Sequence, residues 1–227
     1  MSAAPGVAAG VLAALPLFRQ TPRSQVALLA RESRTTYAAR GAVIARRGER
    51  LPGLAAVAYG LVKLSLKGEH EKVLRLVGPG ECFGEAVLFL DRPLPVDISA
   101  LADTLLVVVP EKPLLALLDS DPRFARGLLA SLCQRLHALV ADFEATTMHG
   151  ARERLAAYLD SLADPGTAGA TARLPAAKTV VAARLGMTKE TLSRLLHRLA
   201  AEGLIAVNRR EITLLDRAGL AALARQA

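Results

Sequence analysis

The sequence predicts an α+β chain in three parts: an N-terminal helix leading into a β-roll, a long central helix, and a C-terminal winged helix-turn-helix. Between about Tyr37 and Pro110, short apolar runs alternate with glycines at 41, 48, 53, 60, 68, 78, 80 and 84, the punctuation of a turn-rich β fold. From Leu128 to His149 a helical pattern runs without Gly or Pro. From Lys178 to Leu204, a short helical segment, a glycine turn and a cappable amphipathic helix follow one another at helix-turn-helix spacing.

The 227 residues are 52% hydrophobic, ample for packed cores and too apolar for a disordered chain. No run of about 18 uncharged apolar residues occurs. The apolar stretch Ala3 to Phe18 is broken by Pro5, Gly6, Gly10 and Pro16, with no basic residue before it. Neither a membrane span nor a signal peptide is expected. Cys82 and Cys133 are too few and too distant for a disulfide framework, which suits a reducing cytoplasm. The formal charge is +8, and the segment from Ala151 onward carries 12 Lys and Arg against 7 Asp and Glu. A small basic domain joined to a nearly balanced larger one suits double-stranded DNA as partner, although Lys- and Arg-rich faces are as often merely solvated.

The strand-length segments are Ala42-Val43-Ile44, Gly60 to Leu66, Lys72 to Val77 and Leu105 to Val109, partly alternating and therefore suited to a roll or barrel. Asp121-Pro122 starts the long helix. Along it Leu129, Leu132, Leu136, Leu139 or Val140, and Phe143 recur at steps of three and four and line one face. Such a stripe is either core packing or a two-fold dimer seam, and the helix's length favours the seam. Gly150 interrupts the helix, and Asp164 to Gly169 reads as a loop. The parts are thus residues 1–120, 121–150 and 151–227.

In the C-terminal part, Lys178 to Leu185 reads as a first helix, Gly186 as the turn and Thr188 as the cap of a second helix over Lys189 to about Ala201. Leu192, Leu195, Leu196 and Leu199 share its inner face. Glu190, Ser193, Arg194 and His197 share the opposite one. That division is what a recognition helix needs. Arg194 can pair with guanine, Glu190 can accept from a cytosine amine, and Lys189 or Arg198 can hold phosphates. Leu204 to Val207 and Glu211 to Leu215 read as two strands about Asn208-Arg209-Arg210, a wing whose arginines reach the DNA backbone.

With these residues, Arg47-Gly48-Glu49, Gly80-Glu81-Cys82-Phe83-Gly84-Glu85, Asp121-Pro122 and Thr188 to Arg194, the chain from about Leu15 to Ala222 resembles the Crp/Fnr family of bacterial regulators. The resemblance implies a cyclic-nucleotide-binding-like β-roll, a homodimer, and contact with RNA polymerase as activator or repressor. Glu190, Ser193 and Arg194 resemble the Fnr branch, which implies an inverted TTGAT repeat.

The resemblance implies an effector pocket at Gly84, Glu85, Leu139 and Val140. Cyclic-nucleotide members hold the phosphate with an Arg-Ser pair, where this chain has Pro95 and Val96, and nearby Asp97 would repel the anion. Cyclic AMP is therefore disfavoured. Two cysteines also argue against the four-cysteine iron–sulfur cluster of oxygen-sensing members. Phe83 to Asp91 and Arg194 to Leu199 are more similar to the Dnr-type branch, which implies haem and nitric oxide. His70, His137, Cys82 and Cys133 are the candidate metal ligands, each also readable as an ordinary surface, helix or filler residue. A thiol-redox signal and a cyclic nucleotide stay open as alternatives. Support for an enzyme is thin, since the sequence offers no nucleophile elbow, phosphate-cradling glycine loop or metal-spaced cluster.

Overall fold

The computed structural model describes residues 5–85, 90, 92–163 and 170–225. The loop expected at Asp164 to Gly169 lies outside them. The chain divides into two compact units, Met1–Lys67 with Leu74–His137, and Ala138–Ala227 with the short segment Gly68–Val73.

The first unit opens with α1 (Pro5–Ala14), a 3-10 turn (Pro16–Phe18) and α2 (Arg23–Glu32). Eight strands follow: β1 (Arg34–Ala38), β2 (Val43–Ala45), β3 (Gly53–Tyr59), β4 (Val62–Leu66), β5 (Lys72–Val77), β6 (Cys82–Phe83), β7 (Asp97–Ala100) and β8 (Thr104–Pro110). They form two four-stranded sheets in the orders β1-β8-β3-β6 and β2-β7-β4-β5, the β-roll expected from the glycine punctuation.

β3 and β8 pair antiparallel, Leu54 opposite Val109 and Val57 opposite Leu106, and are buried on both faces. The period of two sorts their side chains. Leu54, Ala56, Val107 and Val109 join a core with Leu12, Leu15, Phe18, Leu29, Leu114 and Phe124, in which the Phe18 and Phe124 rings stack with centroids 5.2 Å apart. Ala55, Val57 and Leu106 face into the roll with Val62, Val77, Phe83 and Ile98.

Helix α3 (Glu111–Ser120) leads to α4 (Pro122–Met148), the long central helix. Pro122 needs no donor at its first turn, and the Asp121 carboxylate accepts the Arg123 N–H at 2.9 Å.

The second unit holds α5 (Ala151–Leu162), β9 (Thr171–Arg173), α6 (Lys178–Arg184), α7 (Lys189–Ala201), β10 (Ile205–Asn208), β11 (Glu211–Leu214) and α8 (Arg217–Arg225). Its core gathers Leu155, Leu159, Leu174, Val181, Leu192, Leu196, Leu199, Ile205, Ile212, Leu214 and Leu220. The wing sheet has three strands in the order β10-β11-β9, one more than the sequence suggested. Strand β9 is three residues with only Ala172 buried, too short for alternation to register.

Candidate functional site

The recognition element is built as its residue types require. Gly186 turns the chain at φ +65, a conformation other residues adopt at a cost. Thr188 then caps α7, its hydroxyl accepting the Thr191 N–H at 3.2 Å. Leu192, Leu195, Leu196 and Leu199 are buried in the core of the unit. Lys189, Glu190, Arg194, His197 and Arg198 are exposed along the outer side with Thr188, and Ser193 is half-buried among them. Arg198 lies 3.9 Å from the Glu202 carboxylate, which also pairs with Arg152. Glu190 and Arg194 have no such partner among the described residues.

Contacts that the sequence reading missed hold the turn in place. Arg154 donates from Nε to the Leu185 carbonyl at 3.0 Å and from Nη1 to the His149 carbonyl at 2.6 Å. Arg184 pairs with Asp142 at 2.7 Å. In the wing, Arg209 is exposed at the tip with φ +54, whereas Arg210 turns back onto the chain before α6.

In the first unit, Gly84 and Glu85 border a cavity of about 410 Å³ within the roll. Gly84 sits at φ +97, and a Cβ there would come within 3.0 Å of the Gly53 carbonyl oxygen. Leu64, Phe83, Leu94, Pro95, Val96 and Ile98 line the cavity with hydrocarbon, and Arg75, Arg92 and Arg135 add cations. Leu139 and Val140 belong to the second unit and are exposed on α4.

Glu85 is buried, and both its oxygens are engaged. One accepts the Cys82 thiol at 3.1 Å and the other pairs with Arg135. Arg135 also donates to the Cys82 carbonyl at 3.1 Å. Burial first, and then the neighbouring Glu85 charge, push the Cys82 thiol up to about 12. Asp97, which the sequence set against an anionic ligand, is already occupied: it accepts the Arg47 N–H at 2.9 Å and pairs with Lys67 at 3.2 Å.

The candidate haem ligands of the first unit, His137, Cys82 and Cys133, are not among the cavity-lining residues. His137 and Cys133 are exposed and Cys82 is a protonated thiol in the core; His70, in the second unit, is exposed. Among the described residues no group of three His, Cys, Asp or Glu is placed to hold a metal ion, and no helix is long and apolar enough to cross a membrane. Among the described residues, the cavity lining offers haem no His or Cys as an axial ligand.

On α4, Leu129, Leu136, Leu139, Val140 and Phe143 are exposed and Leu132 is half-buried. The first-unit part of the helix buries Phe124 and Leu128 instead, with Arg135 on the same side.

A capped helix of helix-turn-helix spacing with a basic wing, in a chain that also carries a β-roll, is the architecture of a DNA-binding transcription regulator. Residues 35–121 match the cyclic nucleotide-binding domain family and residues 153–223 the Crp-like helix-turn-helix domain family. The chain is 32% identical over 208 residues to the cyclic AMP receptor protein of Thermus thermophilus, covering 88% of this chain and 95% of that one. It is 27% identical over 191 residues to the transcriptional activator protein FnrA of Stutzerimonas stutzeri, covering 82% and 78%. A CooA mutant from Carboxydothermus hydrogenoformans shares the fold, with a TM-score of 0.75 at 21% identity over 86% of this chain and 88% of that one. The chain belongs to the Crp/Fnr family and is a DNA-binding transcription regulator.

Proposed function

We propose that the protein acts in the cytoplasm as a homodimer that reads an inverted TTGAT repeat and responds to a small molecule in the β-roll cavity. The observation that carries this reading is the outer face of α7, where Glu190, Ser193 and Arg194 stand together on a capped, core-anchored helix. Arg194 reads a guanine, Glu190 a cytosine amine, and Lys189, Arg198 and Arg209 hold phosphates. Thr188 orients the helix, and His197 borders the contact.

The sensor is residues 1–120, the dimerisation helix and hinge 121–150, and the DNA-binding domain 151–227. Two copies pair through Leu129, Leu132, Leu136, Leu139, Val140 and Phe143 of α4. Pairing covers large apolar side chains otherwise left in water. An effector beside Gly84 and Glu85 shifts the population of dimers whose recognition helices stand one DNA turn apart, and RNA polymerase contact follows from promoter binding. A nitric-oxide signal through haem draws no support from the residues around the cavity.

The test is fluorescence anisotropy with a duplex carrying TTGAT facing its inverted copy ATCAA, against a scrambled duplex, at about 150 mM salt. The inverted repeat is expected to bind at least tenfold more tightly, and equal binding would remove the reading of the site.

A further inference from the structure

Three arginines border the β-roll cavity, and they are not equivalent. Arg75 donates to the Cys82 carbonyl at 3.0 Å and pairs with Glu81 at 3.1 Å. Arg135 is committed to Glu85 and to the same carbonyl. Arg92, exposed where it lines the cavity, has no hydrogen-bond or ion-pair partner among the described residues. Apart from Glu85, the remaining lining among the described residues is almost wholly hydrocarbon, from Leu64, Phe83, Leu94, Val96 and Ile98.

A ligand must complement both features. An apolar body satisfies the hydrocarbon wall, and a single anionic head satisfies a cation that has no partner among the described residues. A nucleotide is a poor complement, because its base and sugar bring many polar atoms to a wall that returns few, and both Glu85 oxygens are already engaged.

We propose that the cavity binds an amphipathic monocarboxylate, with the apolar body among Phe83, Leu94 and Ile98 and the carboxylate on Arg92. This rests on reading the cavity as the effector site and names the ligand class for it.

The test is isothermal titration of the full-length protein with decanoate, decanol, decyltrimethylammonium and cyclic AMP, each below its micelle-forming concentration. Decanoate is expected to saturate a single site per chain and to bind about tenfold more tightly than decanol, the advantage of one charge-assisted pair at a half-wet site. Decyltrimethylammonium is expected to bind more weakly than either. Arg92→Met should bring decanoate down to the level of decanol without changing decanol itself, and Arg92→Lys should keep most of the preference.

Absence of saturable decanoate binding, equal binding of decanoate and decanol, or tighter binding of cyclic AMP would each overturn the ligand class. Anisotropy on the same samples separates the two readings. Retained TTGAT preference without decanoate binding overturns the ligand class alone. Decanoate binding without TTGAT preference supports the ligand class and overturns the DNA site.

Discussion

Arg210 grips Leu174: its Nε and Nη2 donate to one carbonyl at 3.1 and 2.8 Å, and Nη2 reaches the Pro175 carbonyl at 2.6 Å. Among the described residues the adjacent Arg209 makes no such contact, and it stands exposed at φ +54 on the wing tip. One arginine fixes the wing to the chain entering α6, and its neighbour is left to the solvent side. Arg210→Ala is expected to cost about 1 kcal/mol of stability, since two carbonyls lose a charged donor at a partly wet site. Arg209→Ala should leave the melting temperature unchanged, weaken specific and scrambled DNA alike, and lower the salt slope by about one. Thermal melts and anisotropy over a salt series check both; a larger stability loss at Arg209 than at Arg210 would reverse the assignment.

Arg194 is expected to behave differently from Arg209. A bidentate contact to guanine discriminates, so Arg194→Ala should cost about 1–3 kcal/mol on the inverted repeat and relax preference at that base pair, with scrambled DNA little affected. Competition titrations with single-base variants of the half-site measure this. Equal losses on specific and scrambled duplexes would leave Arg194 a phosphate contact.

The recognition helix was legible because its signals are local. Gly186, Thr188 and four leucines at i, i+3, i+4 and i+7 state turn, cap and buried face within fourteen or so residues, and the structure places each accordingly. The β-roll was legible as a class from its glycines. Its pairings were not, because β1 partners β8 and β2 partners β7 across most of the unit. The cavity's cations escaped for the same reason. Arg75, Arg92 and Arg135 are scattered in sequence, and only the packing of α4 with the roll brings them to one cavity. A hint existed at Arg135, which follows Phe124 and Leu128 at helical steps on the inner side of α4 and so needed a buried partner such as Glu85. Asp97, read in sequence as a repulsive charge, has partners that the sequence did not indicate, Lys67 and a backbone donor.

The apolar stripe of α4 leaves Phe143 72% and Leu136 63% exposed in a single chain. The proposed two-fold seam would place each near its own copy, so a charge introduced there would be doubled across the interface. Leu136→Glu with Phe143→Glu is expected to convert the dimer to monomer at micromolar concentration. It should also abolish cooperative binding to the inverted repeat while far-ultraviolet circular dichroism is unchanged. Light scattering after size exclusion reads the mass, and a persistent dimer would move the interface elsewhere.

Two carboxylates are expected to shape the acid limb of stability. The Arg47 N–H, and then Lys67, hold Asp97 below the ordinary carboxylate range, and Arg123 does the same for Asp121. A depressed folded value gives stability that is present above the unfolded value of about 3.9 and is lost as pH falls through the folded one. Asp97→Asn with Asp121→Asn removes this term while Asn keeps the helix cap at 121. The melting temperature of the variant should therefore fall less steeply than that of the parent below about pH 4. Superimposable acid limbs would show that these pairs do not govern it.

Cys82 titrates in the other direction. Burial, and then the Glu85 carboxylate, favour its neutral thiol, whose folded value near 12 lies well above the unfolded one of about 8.5. Its contribution to stability is thus complete below about pH 8.5 and declines as pH rises from there toward 12. The same shift sets its chemistry, because only the thiolate attacks an alkylating agent. In a Cys133→Ser background at pH 8, N-ethylmaleimide should label Cys82 on the order of 10³ times more slowly than a cysteine in an unstructured peptide, from thiolate fraction alone. Glu85→Gln should raise that rate by removing the adjacent charge while Arg135 remains, with circular dichroism confirming that the fold persists. Labelling of Cys82 in the parent within tenfold of the peptide would mean that the thiol is neither sealed in the core nor held protonated by Glu85, and would restore a thiol-redox signal as the better account of this sensor.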